Sequence, residues 1–156
     1  MSNKLISFII KYSMIKTIPL IITNLEQDGF HPLVKCKLKK KTIWLVVDTG
    51  ASRTVIDLES LNDFSPFESE HIEPFAAGIN AQQFAVKRYI LPNISFSGIK
   101  FKNMEVFGSN LSELSKLYEQ LAGMPIHGLL GCDFLVKHKV VLNFKTKELL
   151  FKVKTD

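Results

Sequence analysis

A chain of 156 residues with 46% hydrophobic residues and no low-complexity tract has the material for one globular domain with a proper core. Its cysteines, Cys36 and Cys132, and its histidines, His31, His71, His127 and His138, show no CxxC or HExxH spacing, so neither a zinc site nor a disulfide framework is indicated, and no metal or cofactor is expected. The net charge of +5 raises nucleic acid as a partner, but the crowded Lys37, Lys39, Lys40 and Lys41 lack interleaved aromatics and read as a solvated hairpin tip.

Residues 1–14 read as an N-terminal extension and 15–156 as the domain. The apolar run 5–10 is cut off by Lys11 and Lys16, well short of the ~20 residues a membrane span needs. No small-residue cleavage site follows it, and the expectation is a cytoplasmic protein without a membrane span. A strand is predicted over 15–22, a turn at Asp28-Gly29, and a hairpin of 33–38 with 43–47. Residues 54–61 begin apolar and turn polar, as a strand followed by a helical turn does, before an acidic, proline-containing loop over 63–73.

Small residues at the centre of 75–84, with strand-like residues on both sides, read as a hairpin whose tip can move. Strands over 89–95 and 99–107 follow, joined at Ser97-Gly98. Leu111, Leu114, Leu117, Tyr118 and Leu121 recur at helical spacing and predict a helix over 109–122, capped by Ser109 or Ser112, ended by Gly123 and blocked by Pro125. A closing hairpin of 140–144 with 149–153 completes a mostly β chain.

The strongest chemical signal lies at 46–52. An apolar, β-branched strand runs directly into Asp48-Thr49-Gly50-Ala51-Ser52, so a carboxylate is carried forward on rigid backbone, as acid/base work requires. Gly50 is available for backbone angles closed to other residues, and the Thr49 hydroxyl for locking the turn from inside. Far downstream stands a second motif, Gly128-Leu129-Leu130-Gly131-Cys132-Asp133.

Together the two motifs resemble those of the retropepsin-like aspartic proteases. The resemblance implies a closed β-barrel, the single acid-protease lobe, with one or two short helices, one of them over 132–138. It implies Asp48 as the catalytic carboxylate, supported by Thr49, Gly50, Ala51 and Ser52, with Leu129, Leu130, Gly131 and Asp133 beneath them. It also implies a flap closing over a bound peptide, placed at 77–82 and centred on Ala77, Gly78, Ile79 and Asn80. A peptide or protein is then the substrate.

One carboxylate cannot readily activate water and protonate a carbonyl together, so Asp48 needs a partner. No second Asp-Thr-Gly exists, and Asp133, the one rival within the chain, sits where a polar side chain caps or buttresses backbone. The implied solution is a homodimer that brings two copies of Asp48 together on its axis. Retroviral members pair an acidic residue at the position of Ser52 with an arginine at that of Cys132; here both are neutral, and His127 stands where many members have an acid. The competing reading is a catalytically silent peptide-binding or dimerisation module on the same fold.

Overall fold

The computed structural model describes residues 13–26, 29–67 and 86–154. Within them lie strands β1 (Ser13–Glu26), β2 (Gly29–Leu38), β3 (Lys41–Val47), β4 (Val55–Asp57), β5 (Lys87–Phe96) and β6 (Ile99–Ser109). Helix α1 (Ser112–Ala122), β7 (Gly128–Leu130), α2 (Cys132–Lys137), β8 (Val141–Asn143) and β9 (Glu148–Lys154) follow. The expected flap at 77–82, with Ala77, Gly78, Ile79 and Asn80, lies outside the described residues, as does most of the acidic loop.

Six strands close on themselves in the order β3, β7, β4, β6, β5, β2, because β2 also pairs with β3. The chain is therefore mostly β, built on a closed barrel, as expected. β1 crosses from one layer to the other: residues from Leu20 onward pair with β2, whereas Ser13 to Pro19 pair with β9, which carries β8 on its far edge.

Local chemistry explains the turns. Leu38 pairs with Lys41, leaving Lys39-Lys40 as a two-residue tip with Lys39 at φ 54°. Ser97 and Gly98 both take left-handed angles, the twist a two-residue hairpin favours. Pro92, which has no N–H to donate, drops out of the β5–β6 register opposite Asn103.

From Ile43 onward β3 is apolar because both its faces are covered. Ile43, Leu45 and Val47 point into the barrel with Ile56, Leu91, Val106 and Leu130. Val46, on the opposite face, packs with Leu33, Ile126 and Tyr118 beneath α1. Each aliphatic side chain so buried contributes about 1.5–3 kcal/mol. α2 stops one end of the barrel, with Phe134 against the rings of Phe96 and Phe101.

α1 departs from its sequence pattern at its start and on its exposed face. It begins at Ser112, because Ser109 still belongs to β6, and neither serine caps it. Asp57 Oδ1 instead accepts the Leu111 N–H at 2.7 Å, and Asn110 Oδ1 accepts that of Ser112. Gly123 ends it in the left-handed conformation, as expected. Tyr118 is buried, while Leu117 and Leu121 face outward. No helix among the described residues is long and apolar enough to cross a membrane.

Candidate active site

β3 and β7 run parallel, with Val47 opposite Leu130. The Asp48 N–H donates to the Leu130 carbonyl at 3.0 Å, so the first residue beyond β3 is anchored where two parallel strands end together. The Asp48 side chain is half-buried, and its Oδ1 accepts the Gly50 N–H at 2.8 Å. That bond ties the carboxylate to its own turn. It also corrects the expectation for Gly50, whose φ is not in the left-handed region. Glycine is favoured there because a Cβ would sit 3.2 Å from Asp48 Oδ1.

The expectation for Thr49 also changes, because its side chain is exposed and the internal lock is made by Thr54, which is fully buried. The Thr54 hydroxyl donates to Asp133 Oδ1 at 2.7 Å and accepts the Gly131 N–H at 3.1 Å. The Thr54 N–H donates to Asp133 Oδ2 at 2.9 Å. Asp133 Oδ1 further accepts the Phe134 N–H, so this carboxylate is occupied by three donors and buttresses backbone. Gly131 lies so close to the Asp48 loop that a Cβ would come 2.5 Å from the Arg53 carbonyl. Nothing larger fits between these loops.

Two more bonds join the loops. The Cys132 N–H donates to the Ala51 carbonyl at 2.8 Å, and the Cys132 thiol to the Thr49 carbonyl at 3.2 Å. Ser52 is exposed, so the neutral pair Ser52 and Cys132 leaves no uncompensated charge at this junction. Leu130 points into the barrel and Leu129 outward under α1. The structure thus brings Asp48, Gly50, Ala51, Leu130, Gly131 and Asp133 into one assembly. Among the described residues, no His, Cys, Asp and Glu side chains converge in a group able to hold a metal.

Thr54 is the residue that sequence reading passed over. Its signal was a lone hydroxyl at the head of Val55-Ile56, where a buried polar side chain must find partners. Tyr118 is a second case. Its hydroxyl lies 2.8 Å from His31 Nδ1, and its pKa is raised by burial and then by the Asp48 carboxylate.

His127 is a strand fastener. Its N–H donates to the Trp44 carbonyl, and its Nδ1 accepts the Trp44 N–H at 3.2 Å. Burial lowers its pKa from 6.5, against the opposing pull of Asp57 and Glu59. Burial and Lys137 lower that of His138 as well. Below pH 6.5 the unfolded chain takes up protons that these folded imidazoles resist, so stability is full above that pH and falls as pH drops toward the folded values. Urea midpoints across that range check this. His127→Asn, which keeps an acceptor without titrating, is expected to flatten part of the slope.

A family model described as aspartyl protease matches residues 34–134, a span that includes both loops. Among solved structures, a retropepsin-like aspartic protease from Rickettsia conorii superposes with a TM-score of 0.50 at 19% identity, over 90% of this chain and 93% of that one. The retroviral protease-like domain of Ddi1 from Leishmania major gives 0.46 at 12% identity, over 80% and 95%. None of the curated proteins matches the chain.

Proposed function

Because the chain belongs to the aspartyl protease family, and the first of the two solved structures shares its retropepsin-like fold, we infer that it is an aspartic endopeptidase whose active site is completed by a second copy of itself. The observation that carries this reading is the state of Asp48. Its carboxylate ends a rigid strand pair, is half-exposed and, among the described residues, accepts a single bond, from its own turn, whereas Asp133 in α2 is engaged by three donors. Asp48 has acceptor sites left on both oxygens for water or substrate, whereas Asp133 has both sites of Oδ1 filled and one of Oδ2.

Peptide hydrolysis without a metal needs a base for the attacking water and an acid for the scissile carbonyl. Two carboxyls about 3 Å apart supply both, since mutual repulsion keeps one protonated while the other ionises. In a symmetric dimer a residue on the axis meets its own copy, so one Asp48 per chain suffices. The ionised Asp48 takes a proton from water as its oxygen bonds to the carbonyl carbon. The protonated copy gives its proton to the carbonyl oxygen; as the C–N bond then breaks, the first returns its proton to the departing amine and the second takes one back from a hydroxyl of the tetrahedral intermediate. Thr49 and Gly50 shape this turn, Ala51 lies beside it, and the 77–82 segment closes over a peptide or protein substrate.

Activity is expected to depend on association. Specific activity should fall on dilution through the dimer dissociation constant, and an excess of Asp48→Asn chains, refolded together with wild type, should suppress it by forming mixed dimers. Cleavage by a demonstrated monomer would disprove the shared site.

A further inference from the structure

Away from Asp48, the outer wall of the barrel carries an unusual grouping of charge. Lys37 pairs with Ser95, and Ser95 in turn pairs with Lys100, so these three side chains form one row across β2, β5 and β6. Asn93 pairs with Lys102 in the neighbouring row, and Lys35 lies two residues from Lys37 on the same face. All four lysines are exposed, and among the described residues none has an ion-pair partner. Lys39 and Lys41 at the adjoining tip differ, being tied to the carbonyls of Asp63 and Glu59.

A notch of about 280 Å³ opens among Lys35, Lys37, Ser95, Ser97 and Lys100. Strand geometry sets the spacing. Alternate residues along a strand lie about 6.6–6.8 Å apart, and rows two strands apart are separated by about 10 Å. Like charges facing each other across strands cost stability, and here the neutral Ser95 of β5 stands between Lys37 and Lys100. What remains is a staggered array of ammonium groups, in which Lys37 and Lys100 share a row with the Ser95 hydroxyl between them while Lys35 on β2 and Lys102 on β6 extend it in opposite directions.

We propose that this face of β2, β5 and β6 is a docking surface for an acidic, extended polypeptide segment. The repeat of alternate side chains in an extended peptide equals the spacing of Lys35 to Lys37 and of Lys100 to Lys102, so two carboxylates at alternate residues of a peptide meet both ammonium groups of one strand. Single-stranded nucleic acid fits less well. It needs exposed aromatic faces for stacking, and the one neighbouring ring, Trp44, is covered by Lys35, whose Nζ lies 5.7 Å from its centroid. Lys37 pairs with Thr42, six residues before Asp48, so the surface lies most of a strand length from the catalytic carboxylate. It acts independently of cleavage, and its existence does not rest on the protease reading.

The test is anisotropy of a labelled twelve-residue peptide of alternating Glu and Ser, titrated with Asp48→Asn protein at low and moderate salt, so that no cleavage intervenes. Lys37→Glu/Lys100→Glu is expected to weaken binding at least about tenfold. Lys145→Glu/Lys152→Glu, an equal charge change on the β8–β9 hairpin, is expected to weaken it less than about twofold. Lys37→Gln/Lys100→Gln, which removes charge without adding carboxylates, should show a smaller loss in the same direction. The proposal is overturned by no binding to the parent protein, by equal losses in the two charge-reversed variants, or by tighter binding of an oligothymidylate of the same charge.

Discussion

Asp48→Asn is expected to lower peptide hydrolysis by at least about 10³-fold in kcat while shifting the unfolding free energy by no more than about 0.5 kcal/mol. The two effects separate because the side chain has two roles of unequal weight. Its structural contact is one accepted bond from the Gly50 N–H at 2.8 Å, which an asparagine Oδ1 can still accept in a half-exposed position. The role proposed for it requires a group that gains and loses a proton, which an amide cannot do. Turnover of a peptide library, measured beside denaturant unfolding of the same preparations, checks both halves. Retained cleavage would remove Asp48 from the mechanism and return attention to Asp133.

Asp133→Ala should show the reverse balance, with stability falling first and activity with it. The substitution strands the buried Thr54 N–H and hydroxyl, and takes the acceptor from the Phe134 N–H. A buried donor left without a partner costs about 1–3 kcal/mol, so a loss of about 2–4 kcal/mol follows once partial solvation of this half-buried pocket is allowed for. Because Thr54 also accepts the Gly131 N–H, the loosening spreads to the loop after Leu130, whose carbonyl holds the Asp48 N–H. Asp133→Asn keeps one acceptor and should recover part of the stability. A Thr54→Val variant probes the same link from the other side, and non-additivity of the two would demonstrate their coupling.

Much of the fold is legible in the sequence because it is encoded locally. The β2–β3 and β5–β6 hairpins follow from strand-forming apolar runs around short turns, and Gly123 ends α1 in the conformation that glycine adopts most easily. The start of α1 is not legible. Its capping carboxylate, Asp57, is 54 residues away in sequence, so a search for a neighbouring serine finds the wrong residue. Leu117 and Leu121 share the helical spacing of Leu114 and Tyr118 yet face outward, since periodicity identifies an apolar stripe without saying how wide a neighbour covers it. Thr49 and Thr54 are both plausible locks from composition; the former is exposed and the latter buried against Asp133.

By itself, the sequence determined the mostly β class, the family resemblance and the identity of the candidate carboxylate, because each is written in a contiguous stretch whose local preferences agree. The tertiary structure alone decided how that carboxylate is held. The parallel pairing of β3 with β7 sets Asp48 beside Leu130 across more than 80 residues of chain, and the Thr54–Asp133 bonds span 79. Such contacts depend on the closure of the barrel. No local propensity encodes which buried hydroxyl will find which carboxylate once the strands have met.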